Sequence, residues 1–175
     1  MRLRIYILSH WLNHCIISFL RDPMKTFLLI IVLLVLAVCV FFFILGSKSK
    51  SGVAAGLIEN QLSQCGSKPN CVCSEQQDRG EHYVEPVKLV QPNVVSLQQV
   101  SEVITAAGGE VVQSSDNYLA ATFTSSAFGF VDDFEARLDA DKGVLHLRSA
   151  SRVGHSDLGA NRKRVEQIRT ALQAL

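Results

Sequence analysis

The chain has 175 residues, enough for one domain, and nearly balanced charge, with 17 Lys and Arg against 16 Asp and Glu. From Gly46 onward 13 basic residues stand against 15 acidic ones, so the part that can fold as a soluble domain is slightly acidic. A nucleic-acid binder is normally basic overall, and no nucleic-acid partner is expected.

Residues 1–23 form an N-terminal extension. Ile5, Leu8, Leu12, Cys15 or Ile16, and Phe19 make a helical stripe opposite Ser9, His10 and Asn13. Such a stripe suits a helix lying in the membrane interface, and an over-long reading frame with the true start at Met24 explains it equally well. Next comes "TFLLIIVLLVLAVCVFFFIL", Thr26 to Leu45, 20 residues without a charge. At about 1.5 Å per residue that helix is roughly 30 Å long, the thickness of a bilayer's hydrocarbon core. It has no polar stripe of the kind a soluble core helix shows. Residues 24–45 are therefore expected to be a transmembrane anchor.

Two rivals compete for this segment. A cleaved signal peptide has a shorter apolar region, about 7–15 residues, with its small-residue cleavage site close behind. "SGVAAG" offers Val53 and Ala55, but ten residues lie between Leu45 and the end of that site. A lipoprotein would use Cys39, yet Val38 is bulky where a small residue is wanted. Arg2, Arg4, Arg21 and Lys25 precede the helix, whereas only Lys48 and Lys50 follow closely. The bias favours an inside N-terminus. The expectation is a single-pass protein of a bacterial inner membrane, with the lipid bilayer as its first partner and a periplasmic C-terminal domain.

"GSKSKSGVAAG", residues 46–56, is small and polar, and a flexible linker is expected over 46–61. The domain proper is taken as 62–175. "HYVEPVKLV", 82–90, is β-like, with Pro86 suggesting an edge. Ser96 caps a helix, with Gln99 in capping-box position. Leu97, Val100, Ile104 and Ala107 form its apolar face, and Gly108-Gly109 stop it. "EVVQSS", "NYLAATFTS", "FVDDFEARLD" and "GVLHLRSAS" read as four strands, with turns at Asp116-Asn117 and Asp141-Lys142-Gly143. Leu119, Ala121 and Phe123 point one way, and Tyr118, Thr122 and Thr124 the other. A last helix over 160–174 turns Val165, Ile168, Leu172 and Leu175 inward. The order predicts an α+β domain, a small antiparallel β-sheet covered by two helices and preceded by one N-terminal transmembrane helix.

The densest charge lies in residues 148–169, where six Lys or Arg face only Asp157 and Glu166. Residues 110–141 hold seven acidic residues against Arg137 alone. Asp132 shares a strand face with Phe130, Phe134 and Leu138, where an ionised carboxylate needs a partner. Arg148 or Arg152 is the candidate, and Asp132 with Arg148 is taken as the structural ion pair. In the turn, Gly154 and Gly159 supply permissive backbone while Asp157 or Asn161 caps the last helix. The same geometry suits an anion. Arg152, Ser156, Asp157, Asn161 and Arg162 are the candidate ligand-binding residues, for a lipid headgroup or another anionic envelope component. The alternative is a structural or assembly factor that docks a membrane-protein partner through this surface. His155, Ser156 and Asp157 are triad residue types, but neighbours on an extended segment face opposite ways and do not line up for catalysis.

"CGSKPNCVCS", followed by "YLAATFTS", "FVDDFEARLD" and "LRSASRVGHSDLGANRKRVEQIR", resembles the domain of unknown function 1499 family over roughly residues 62–172. The resemblance implies no activity. It implies a Cys65–Cys71 disulfide, which an exported compartment permits and which closes a short loop around Lys68-Pro69-Asn70. It also marks two departures, because the resemblance implies that the family usually has Ser at the position of Cys73 and Tyr at that of His155. A metal alternative adds Cys73 and His82, but the spacing is not a standard zinc pattern. No metal site and no cofactor are expected. Cys71 or Cys73 with His82 or His146 is the remaining thiol-enzyme reading.

Overall fold

The computed structural model describes residues 22–78, 80–89 and 96–174. The N-terminal stripe, Arg2, Arg4 and Arg21, the last residue of the expected 82–90 strand, and the expected inward position of Leu175 lie outside the described residues. The chain divides between Phe42 and Phe43 into two compact units.

Helix α1 runs Pro23–Ser49. Proline suits its first position, where the missing N–H costs nothing, and the Asp22 carboxylate accepts from the Met24 amide at 3.1 Å. It is long and apolar enough to cross a membrane, and none of its most apolar window is buried by protein. A single span and a signal sequence both have that character.

The second unit, Phe43–Leu175, begins inside α1, earlier than expected. Residues 46–49 of the expected flexible linker are the last turn of α1, and Gly46 and Ser49 are buried. A Cβ at Gly46 would lie 2.0 Å from the Phe128 carbonyl oxygen, so only glycine allows this approach. Ser49 Oγ donates to the Gly46 carbonyl at 2.6 Å and accepts from the Val131 amide at 2.9 Å. Further along, β1 (Leu57–Ile58) and β2 (Gln61–Leu62) form a hairpin. Its two turn residues, Glu59 and Asn60, both have positive φ, as a type I′ turn requires.

The main sheet contains β3 (Cys71–Cys73), β4 (Val87–Lys88), β5 (Glu110–Ser114), β6 (Tyr118–Thr124), β7 (Val131–Asp139) and β8 (Val144–Ser151). Its order is β3-β8-β7-β6-β5, and all these pairings are antiparallel. The last four strands are an up-and-down meander at the expected positions. The expected 82–90 strand shrinks to β4, which shares one edge of β8 with β3, and to a single bridge between Tyr83 and Cys73. Pro86 offers no N–H there.

Helices α2 (Leu97–Ala106) and α3 (Ala160–Gln173) cover one face. Ser96 and Gln99 form the reciprocal capping box that starts α2. Val100 and Ile104 of α2 meet Leu119, Ala121, Phe123, Phe134, Leu145 and Leu147 of the sheet, with Val165, Ile168 and Leu172 from α3. The opposite face is covered too. There Leu62, Cys65, Cys71, Cys73, Tyr118 and Ala120 form a smaller cluster, with Ala54 and Leu57 packed against it. The domain is thus an α+β fold with two helices on one side of the sheet and the chain after α1 laid across the other.

Candidate functional site

Strand register decides where the charges go. Asp132 pairs with Ser151, Asp133 with Ala150, and Glu135 with Arg148. Directly opposed residues share a face, so Arg148 and Arg152 project with Asp133 and Glu135, away from Asp132. The expected Asp132–Arg148 pair does not form. Asp132 instead accepts from Arg164 of α3 at 2.9 Å, on the helix side, and that guanidinium lies 4.6 Å from the centre of the Phe123 ring.

The other face carries a ladder of buried ion pairs. Arg152 grips Asp133 with two bonds of 2.9 and 2.7 Å. Arg148 pairs with Glu135, which has no solvent exposure. Glu135 also accepts from the Tyr118 hydroxyl at 2.7 Å and the Gly56 amide at 2.8 Å. Burial and this carboxylate together push the Tyr118 phenol far above its ordinary value. Arg137 completes the ladder with Glu75 at 2.6 Å and Asp139 at 3.1 Å.

The five candidate ligand residues divide between the two faces. Ser156, Asp157, Asn161 and Arg162 cluster at the start of α3 on the helix side, whereas Arg152 is on the other. Each of the four is engaged internally. Asp157 accepts from the Gly159 and Asn161 amides at 3.0 and 2.7 Å, but the N-cap position itself is Gly159, in left-handed backbone and without a side-chain cap, rather than the expected Asp157 or Asn161. Ser156 Oγ accepts from the Leu158 amide at 3.2 Å. Asn161 is buried, donates to the Asn70 carbonyl and Ser151 Oγ, and accepts from Ser149 Oγ. Arg162 donates to the carbonyls of Tyr83 and Glu81 at 2.9 and 2.7 Å. These residues fasten the Asn70 and Glu81–Tyr83 loops to α3 rather than converge on a ligand.

Cys65 and Cys71 are joined in a disulfide, as expected. Cys73 is a free thiol with no exposed surface, and burial pushes it up to about 11. A thiol catalyst needs the opposite, an exposed and easily ionised sulfur. His82 Nδ1 lies 2.9 Å from the Cys71 carbonyl. Among the described residues no group of three His, Cys, Asp or Glu side chains is placed to hold a metal. Sequence reasoning missed one polar group, Ser74, Glu75 and His146. Ser74 Oγ is 3.1 Å from His146 Nδ1, and His146 Nε2 is 3.8 Å from Glu75. Ser74 is wholly buried and its oxygen also accepts from the Leu147 amide, so no substrate reaches it. Its signal in the sequence is only a Ser-Glu pair behind Cys73.

Concave space lies elsewhere. A groove of about 590 Å³ opens between residues 50–54 and strands β5 and β6, on the face opposite the helices. Ala120 and Val131 line it, with Gln113, Thr122 and Thr124 as neutral polar groups, Glu110 as the acid, and Lys50 and Arg152 as cations. Arg152 is already committed to Asp133 and, at 3.2 Å, to the Ser49 carbonyl. Lys50 is exposed and makes no ion pair among the described residues.

No curated protein and no solved structure matches the chain. The family model described as "Protein of unknown function (DUF1499)" matches residues 61–172, which include every strand from β2 to β8, all of α2 and nearly all of α3. On that match the chain belongs to the DUF1499 family of proteins of unknown function.

Proposed function

We propose that this protein is a membrane-tethered binding domain whose groove beside Lys50 takes an anionic phosphate group, such as the headgroup of a membrane lipid. The observation that carries the reading is the position of Lys50. It is five residues past Leu45, the end of the apolar run. At about 1.5 Å per residue that is roughly 7 Å beyond the hydrocarbon edge, within the headgroup layer of a bilayer. An ammonium at that depth, without an ion pair among the described residues and lining the same groove as Thr122 and Thr124, offers charge-assisted and neutral hydrogen bonds to one anion. We place the domain in the periplasm of a bacterial inner membrane. The charge bias of the helix flanks and a disulfide, which persists in oxidising compartments, support that side. An export-dependent reporter fused behind Leu175 tests it, and activity only in the cytoplasm would reverse it.

The groove is tested with the full chain in detergent, titrated with short-chain phosphatidylglycerol, short-chain phosphatidylcholine and inorganic phosphate. Backbone NMR shifts should centre on Gln113, Thr122 and Thr124. Lys50→Gln should weaken phosphatidylglycerol binding about tenfold or more, the worth of one hydrogen bond to a charged group. Equal binding by inorganic phosphate points to a free anion as the ligand. Shifts confined to the start of α3, or none, reject the groove.

The second reading, docking of a membrane-protein partner, draws on Val53 and Val112, two large and exposed apolar residues at the groove. Against it, β5 is bulged between Val111 and Gln113, a device that blunts a sheet edge against strand addition.

A further inference from the structure

We propose that the loop between β6 and β7, Ser125–Phe130, is a membrane-contact element that sits in the interface of the bilayer beside α1. The first observation is a contact. The Phe128 ring meets the Phe43 ring edge to face, with centroids 5.5 Å apart, and Phe130 meets Phe128 edge to face at 6.3 Å. Phe43 lies within the apolar run, two residues before its end at Leu45. That is about 3 Å along the helix axis. A side chain touching Phe43 therefore lies within a few ångströms of the hydrocarbon edge whenever α1 spans the membrane.

The second observation is that the loop suits that depth. "SSAFGFV", Ser125 to Val131, has no charge. Three of its amides find partners inside the loop, which lowers the cost of placing it near lipid. The Ser125 amide donates to the Phe130 carbonyl at 2.8 Å, the Gly129 amide to the Ser125 carbonyl at 3.1 Å, and the Phe130 amide to Ser125 Oγ at 2.9 Å. The third observation is the neighbouring cation. Lys50 runs along the loop, its Nζ 3.8 Å from where a Gly129 Cβ would be. Aromatic rings flanked by a lysine that reaches for the headgroups are the pattern of an interfacial anchor. The partner is thus the phospholipid surface itself. The proposal shares with the groove reading Lys50 and the premise that α1 stays in the membrane, but makes no use of the groove's ligand.

Trp11 is the chain's only tryptophan, so Trp11→Phe provides a silent background in which Phe128→Trp and, separately, Phe130→Trp report depth. Leu158→Trp is the comparison, at a loop position 97% exposed. Each full-length variant is reconstituted into phosphatidylcholine–phosphatidylglycerol vesicles whose acyl chains carry bromine either just below the headgroup or near the chain end. The interface is about 5–10 Å deep, so shallow bromine should remove roughly half or more of the emission at 128 or 130, and deep bromine less. The emission at 158 should be unaffected. If neither loop tryptophan is quenched more than the one at 158, the loop does not touch lipid. Quenching at the loop with no headgroup preference in the groove keeps this proposal and rejects the other. Release of the domain from the vesicles by cleavage of α1 overturns both.

Discussion

The two faces of one sheet are stabilised in different ways. On the helix face, side chains from α2 and α3 close over Phe134, Leu119, Leu145 and Leu147, and the exclusion of apolar surface from water needs no exact partner. On the other face, Glu135, Arg148, Asp133 and Arg152 are also largely buried, and each depends on one opposite charge. Apolar burial tolerates a small shift, whereas a buried ion pair fails if the register moves by one residue. The ladder therefore specifies register while the helix face supplies most of the driving force. It also fixes the start of the domain, because Glu135 holds the Gly56 amide and Arg152 the carbonyl that ends α1.

The contrast can be broken from either side. Phe134→Ala empties a fully buried site and should cost about 3–5 kcal/mol in urea denaturation. Arg148→Gln strands the Glu135 carboxylate and should cost about 3 kcal/mol, near the lower limit for a broken buried pair, since Tyr118 and Gly56 still donate to it. The faces separate in the double variant. Glu135→Gln together with Arg148→Gln removes both charges and should recover at least half of that loss, whereas no second polar change refills the Phe134 cavity. A double variant as unstable as the sum of the singles would mean the ladder is not a coupled pair.

A finer split lies within the basic stretch, where Arg152→Gln and Arg162→Gln should differ. Arg152 loses two bonds to a carboxylate and one to the end of α1, for an expected cost of about 2–3 kcal/mol. Arg162 loses two bonds to carbonyls at a half-exposed site, for about 1 kcal/mol. Thermal melts of both variants decide it. Equal shifts would remove the distinction drawn here between the ladder and the loop-fastening arginines.

Most of the fold was legible because periodicity reports directly on burial. The meander strands, both covering helices and the Ser96 capping box stand where the pattern puts them, and the alternation of Leu119, Ala121 and Phe123 is the alternation of the core. Register was not legible. The turn at Asp141-Lys142-Gly143 leaves open which residue of β8 faces Asp132, and a shift of one sends Arg148 to the other face. The Ser49 contact was hidden for a related reason. "GSKSKSG" has the composition of a linker, and it takes the close approach of Phe128 to Gly46 and the bonds to Ser49 to show that its first residues belong to the domain. β3 was missed because its three residues, Cys71-Val72-Cys73, are too few to show an alternation. At the candidate site the expected grouping does not form, because Arg152 and Arg162 lie on opposite sides of the sheet.

The smallest expected effect concerns His146, which stands among the ladder's charges. Its strand partner is Arg137, Glu75 lies 3.8 Å from Nε2 and Ser74 Oγ 3.1 Å from Nδ1, and Asp139 and Lys142 also act on it. Burial is the largest influence and holds its pKa below the ordinary 6.5, with Arg137 and Lys142 acting in the same direction and Glu75 and Asp139 against it. The unfolded chain therefore takes up a proton near pH 6.5 that the native domain still refuses. Stability is full above that pH and falls as the pH drops below it, until the folded histidine also titrates. The slope is at most about 1.4 kcal/mol per pH unit, and over one unit a loss of about 1 kcal/mol is expected. Urea midpoints measured at about pH 7 and about pH 5.5 should separate in the native sequence and converge in His146→Gln, which cannot take up the proton. Asp139, held low by Arg137 and the Lys142 amide, loses its contribution only in stronger acid and does not blur this window. An unchanged separation in the variant would mean that the acid sensitivity belongs to other groups.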